Sequence, residues 1–150
     1  MHYAVRELGY DACVDHKSSR FAEDLKDALF NGVDGLFENV GGEPFRLAAR
    51  RLSDFARVAV CGIIASLDGA VPVPSIDLST LLRRRIKIEG FIVGDHMNLW
   101  PQAISELAGL VAAKRLTWRE TIRDGLENAP QALVDLLHGE NFGKMLVKVD

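Results

Sequence analysis

Few residues in this chain have types and spacings that could do chemistry. Asn39-Val40-Gly41-Gly42 sets a carboxamide ahead of two glycines at the end of an apolar run. Asn and Gly tolerate positive φ, so the segment reads either as a plain turn or as a place where backbone approaches a ligand closely. Cys61 lies in an apolar stretch with no helix start or flanking cation to lower its pKa. It therefore reads as a small hydrophobe and is given no catalytic role. His2, His96 and His138 have no metal-ligand spacing, so no metal site is expected. Ser66 and Asp68 with His16 offer the side chains of a hydrolase triad, but no Gly-x-Ser-x-Gly elbow exists to expose a nucleophile. Arg83-Arg84-Arg85 with Lys87 is the one basic run, and it suits the negative pole of a helix better than phosphate recognition. Trp100 and Trp118 read as core or subunit contacts.

Alternating strand and helix patterns must position these residues. Residues 2–8 read as a helix closed by Gly9, and 12–15 as a short strand. Ser18 and Ser19 can cap a helix over 20–29, where Phe21, Ala22, Leu25, Ala28 and Leu29 share a face. A strand over 33–40 follows. Pro44 then suits a first helical turn that points Phe45, Ala48, Ala49 and Leu52 inward. The run over 58–64 is apolar without alternation, as in a central strand covered on both faces. A loop with Asp68-Gly69, Pro72 and Pro74 leads to a short helix carrying Leu78, Leu81 and Leu82, then to a strand over 86–93. The longest helix is expected over 99–114. Strands over 116–122 and 144–149 flank a helix over 128–138 closed by Gly139.

Helices between strands imply an α/β fold with a mainly parallel sheet and helices on both faces. The tail from 116 to 150 need not share that sheet. Ligands in such folds gather at the carboxyl ends of strands, which directs attention to His16, Asn39 to Gly42, Cys61 to Leu67, and Phe91 to Gly94.

Composition narrows the function classes. With 150 residues, 48% hydrophobic and 26% charged, the chain suits a globular domain and not a disordered or fibrous one. Eighteen basic against 21 acidic residues give a net charge of −3, with no general attraction to nucleic acid or anionic membrane. No apolar run approaches the roughly 18 residues of a spanning helix, and Met1-His2-Tyr3-Ala4-Val5-Arg6 holds no signal-peptide core. Cys13 and Cys61 are far apart and outside any Cys-x-x-Cys spacing, which speaks against a disulfide framework or zinc site. A soluble protein in the reducing cytoplasm is expected.

Four segments together carry a family resemblance. They are Phe37-Glu38-Asn39-Val40-Gly41-Gly42; Phe55-Ala56-Arg57-Val58-Ala59-Val60-Cys61-Gly62-Ile63-Ile64; Ile88-Glu89-Gly90-Phe91-Ile92-Val93; and Gly125-Leu126-Glu127-Asn128-Ala129-Pro130 with Gly139-Glu140-Asn141-Phe142-Gly143-Lys144. In order and spacing the chain resembles the C-terminal part of the medium-chain dehydrogenase/reductase superfamily. The branch it resembles is the zinc-independent one of leukotriene/prostaglandin reductases and alkenal double-bond reductases.

The resemblance implies an NADPH-dependent oxidoreductase that reduces the C=C bond of α,β-unsaturated aldehydes and ketones. It implies that Asn39 bonds the cofactor near its ribose and nicotinamide, and that Cys61, Gly62 and Ile63 line the cofactor cleft. Phe91, Ile92 and Val93 would border the nicotinamide and substrate, Asn141 would close over the cofactor from the tail, and His16 would sit by the adenosine 2′-phosphate. His16 and Leu67 both stand where relatives carry a tyrosine. Histidine can still donate a hydrogen bond. Leucine cannot donate a proton, so the catalytic group stays unassigned.

The resemblance further implies a Rossmann-like domain over 1–115 that lacks its first two strands, and a tail over 116–150 that returns to the catalytic domain. On this reading the chain is a C-terminal fragment without the glycine-rich phosphate loop, so its own NADPH binding should be weaker than millimolar or undetectable. The strand over 12–15 would then pair with the next strand or be covered by another chain. The edge strand from Ile86 to Val93 is expected to join two subunits as a homodimer. The rival readings are a quinone oxidoreductase of the same superfamily and a non-catalytic α/β dimerisation module.

Overall fold

The computed structural model describes residues 2–66, 72, 73 and 75–149. Two compact units divide the chain, Met1–Asn98 and Leu99–Asp150.

In the first unit three parallel strands, β1 (Val33–Glu38), β2 (Leu52–Val60) and β3 (Lys87–Gly90), form a sheet in the order β1-β2-β3. The helices are α1 (His2–Arg6), α2 (Phe21–Ala28), α3 (Gly42–Ala49) and α4 (Leu78–Arg84). Leu36, Val58 and Ile88 form one cross-strand row, and Glu38, Val60 and Gly90 form another on the same face. Against that face lies the core of Phe45, Ala49, Leu52, Ala56 and Val58, with Ile76 and Ile86 at its margin. Phe45, Ala48 and Ala49 are the inward side chains of α3, as their spacing predicts, and Leu52 is fully buried where β2 begins.

The expected short helix is α4. Its N-cap Asp77 accepts the amides of Ser79 and Thr80, both at 3.1 Å, and their hydroxyls as well. Those bonds, the Ser79 hydroxyl foremost, lower the Asp77 carboxyl from 3.8 to about 2. The basic run closes the same helix. Arg84 donates to the Leu52 carbonyl, while Arg85 pairs with Asp54 at 2.5 Å and lies 4.4 Å from the Phe55 ring centre. These arginines fasten the end of α4 to the start of β2.

Several boundaries differ from the sequence reading. Residues 12–15 form no strand, because among the described residues β1 pairs only with β2 and no ladder partner reaches this segment. Its chain turns at Asp15, whose carboxylate accepts Lys17 N–H at 2.9 Å. β1 stops at Glu38 and not at residue 40. β2 begins six residues before the expected 58 and ends at Val60, because Cys61 and Gly62 both turn their N–H groups onto the Glu38 carbonyl, at 2.9 and 3.3 Å. β3 is shorter than the expected 86–93, since its last bond, Phe91 N–H to Val60 O at 3.0 Å, reaches the final residue of β2. The loop features Asp68-Gly69 and Pro74, together with Leu67, lie outside the described residues.

The second unit holds α5 (Trp100–Ala112), β4 (Glu120–Asp124), α6 (Ala129–His138) and β5 (Lys144–Lys148). β4 and β5 make a separate two-stranded parallel sheet running from the Glu120/Lys144 pair to Asp124/Lys148. The strand expected over 116–122 lies further along, because Leu116 N–H still closes the end of α5 on Leu110 O at 3.3 Å. Gly139 ends α6 with φ 72°, the left-handed closure its position predicts. Asp135 is buried on α6 and bonds Gln131 and Arg123, both at 2.8 Å. These two partners, Gln131 first, hold its carboxyl below the ordinary 3.8.

Candidate functional site

The carboxyl ends of β1 and β2 are tied together through Glu38. Its side chain points to the helix-covered face and is only 5% exposed. One oxygen, Oε1, accepts the amides of Val40 at 2.6 Å and Gly41 at 2.5 Å. Successive amides converge in this way because Gly41 turns at φ 80° into α3, a conformation that favours glycine. The carboxylate thereby occupies the amide donors that a helix start would otherwise offer to an anion. The Glu38 carbonyl faces β2 and accepts Cys61 N–H and Gly62 N–H, with the Cys61 thiol at 3.1 Å.

Asn39 sits between these anchors. Its Oδ1 accepts the Cys61 thiol at 3.4 Å and lies against Gly62, and the next residue, Val40, accepts Ala65 N–H at 2.9 Å. Asn39 is exposed and its carboxamide nitrogen has no partner among the described residues, which leaves an unspent N–H donor at the strand end.

The structure thus brings Asn39, Cys61 and Gly62 into contact. Ile63 follows directly and lines a cavity of about 250 Å³ with Glu38, Phe45, Val60, Val73, Ile76 and Ile88. Phe91 belongs to the opposite face of the sheet. There it meets Phe37 at 6.1 Å and His96 at 6.4 Å between ring centres and helps line a shallow hollow with Arg57, Ala59, Lys87 and Glu89. Ile92 and Val93 are exposed beyond the end of β3. His16 lines a separate concavity of about 380 Å³ with Ala12, Val14, Phe21, Leu25, Val40 and Pro44. Asn141, in the second unit, donates to Gly143 O at 2.6 Å.

Glu38 has no place among the residues singled out from sequence. Its signal was nonetheless present: an acidic side chain two and three residues ahead of the amides of a Val-Gly pair is the spacing of a local side-chain cap.

The family model described as zinc-binding dehydrogenase matches residues 3–109. The NADPH-dependent curcumin reductase of Escherichia coli (strain K12) is 38% identical over 153 residues, covering 98% of this chain and 44% of that protein. The 2-alkenal reductase (NADP(+)-dependent) of Nicotiana tabacum is 33% identical over 144 residues, covering 95% of this chain and 42% of the relative. Among solved structures, CurA from Vibrio vulnificus in complex with NADPH superposes with a TM-score of 0.90 at 37% identity, over 99% of this chain and 46% of that one. The chain therefore spans less than half the length of the curated relatives it matches.

The two groups these names imply fit differently. Zinc does not: among the described residues no three His, Cys, Asp or Glu side chains gather to hold a metal, and the Cys61 thiol is bonded to oxygen acceptors. For a dinucleotide, the relevant feature is that the Asn39 carboxamide, packed against Gly62 at the strand end, keeps its N–H donors unspent among the described residues. The chain belongs to the zinc-binding dehydrogenase family and, within the medium-chain dehydrogenase/reductase superfamily, to the C-terminal part of its zinc-independent reductase branch.

Proposed function

We propose that this chain is part of an NADPH-dependent reductase acting on the C=C bond of α,β-unsaturated aldehydes and ketones. The observation that carries the reading is the Asn39, Cys61 and Gly62 cluster at two adjacent strand ends, in a fold that superposes on an NADPH complex. When bound, NADPH would supply the hydride for the β-carbon and become NADP+, with a proton reaching the α-carbon to complete reduction of the C=C bond. In this reading the Asn39 amide bonds the ribose and nicotinamide portion, while Cys61, Gly62 and Ile63 form the wall of the cleft. Phe91, Ile92 and Val93 border the nicotinamide and substrate, Asn141 covers the cofactor, and His16 donates to the 2′-phosphate. Residues 1–115 hold the dinucleotide, and the tail over 116–150 rejoins the catalytic domain.

The same reading includes a homodimer, supported by the position of β3 at an edge of its sheet. It also includes a cytoplasmic setting, supported by the free thiols of Cys13 and Cys61. No helix among the described residues is long and apolar enough to cross a membrane.

The test follows NADPH consumption by the longest native polypeptide carrying this sequence, with an enone and with a quinone as acceptors. Deuteride-labelled NADPH should leave its label on the β-carbon of the enone. Turnover of the quinone alone rejects the reading in favour of a quinone oxidoreductase. Turnover of neither favours a non-catalytic module, and light scattering of the same sample reads the dimer.

A further inference from the structure

We propose that Glu38 is a positioning residue for the cofactor, one whose carboxylate sets the direction in which Asn39 presents its amide. The inference rests on the reading of Asn39 as a cofactor contact. Asn39 is followed by two residues whose amides are both held by Glu38 Oε1, at 2.6 and 2.5 Å. It is preceded by the Glu38 carbonyl, which takes the amides of Cys61 and Gly62 and the Cys61 thiol. The backbone on each side of Asn39 is therefore held by one residue, and the carboxamide lies against Gly62.

The bonds are charge-assisted and short, and the acceptor is almost wholly out of water. Removing the carboxylate strands two amides, one of them on the buried Gly41, so the turn must rearrange to satisfy them. Asn39 lies inside that turn and moves with it. Glu38 alternates with Phe37 and points to the helix-covered side, with its accepting oxygen turned back onto its own turn.

A double-mutant cycle in the longest native polypeptide carrying this sequence tests the proposal, read by NADPH titration and by separate KM and kcat values. Glu38→Ala should weaken NADPH about tenfold, as loss of a hydrogen bond to a charged group does, with kcat at saturating NADPH changed far less. Asn39→Ala should weaken it to a similar degree, and the double variant should be no worse than Asn39→Ala alone. Glu38→Asp should restore affinity, because a carboxylate accepting the amides two and three residues onward is a geometry aspartate readily adopts. Its smaller perturbation also keeps the comparison open if Glu38→Ala does not fold. A purely structural Glu38 would lower the melting temperature and leave the NADPH affinity of the folded protein unchanged, which overturns the proposal, as would full additivity in the cycle. An Asn39→Ala variant with wild-type affinity overturns the cofactor assignment and this proposal with it. Failure to reduce enones overturns only the substrate reading, since the cycle is read by binding.

Discussion

Gly62 lies directly against the side chain of Asn39: a Cβ at position 62 would stand 2.6 Å from Asn39 Oδ1 and 3.0 Å from its carbonyl oxygen. The glycine is needed for space, and the site's donor keeps its direction only while that space stays empty. Gly62→Ala is therefore expected to displace the Asn39 carboxamide and weaken NADPH about tenfold, at a stability cost of about 1–3 kcal/mol. Cofactor titration and thermal melting of the same sample check both effects. Unchanged affinity would mean that the Asn39 amide does not meet the cofactor.

His16 lies in an exposed concavity with apolar walls from Ala12, Val14, Phe21 and Leu25. If its ring donates to the 2′-phosphate, His16→Leu should weaken NADPH about tenfold while leaving NADH, which lacks that phosphate, nearly unaffected. Parallel titrations with the two cofactors read the difference directly. An equal loss for both would place His16 elsewhere on the nucleotide.

Asp135 gives the second unit a defined response to acid. Its carboxyl is held below the ordinary 3.8 by Gln131 and then Arg123, so the folded form binds its proton less readily than the unfolded form. The resulting stability is complete above pH 3.8 and is lost as pH falls through the lower folded value. Asp135→Asn should remove this acid limb, and at neutral pH it should lower stability by depriving Arg123 of its partner. Acid titrations followed by circular dichroism, wild type against variant, compare the two profiles.

Two glycines of the second unit should respond to alanine in opposite directions. Gly143 has φ 82°, and a Cβ there would overlap the Arg119 backbone, whose carbonyl accepts Lys144 N–H at 2.8 Å where β5 begins. Gly143→Ala should cost about 3 kcal/mol or more and speed hydrogen exchange along β5. Gly109, inside α5, has open space where a methyl group would project, so Gly109→Ala should stabilise the chain by about 0.5–1 kcal/mol through helix propensity alone. Melting curves of the pair separate crowding from propensity.

Periodicity and local chemistry determined much of this molecule. The inward face of α3 at Phe45, Ala48 and Ala49, the glycine closing α6 and the central place of β2 are legible in the chain, because each depends on neighbours a few residues away or on apolar patterning, whereas the sequence left open whether the tail shares the first sheet. What tertiary structure alone decided is where the strands stop and what holds Asn39. A strand persists only while its partner runs alongside. Hence residues 12–15 form none, and β3 ends at Gly90, opposite the last residue of β2. The role of Glu38 was legible only in its local half. Its side chain grips its own turn while its carbonyl grips residues 23 and 24 positions further on, Cys61 and Gly62, and that second link exists only once two distant segments lie side by side.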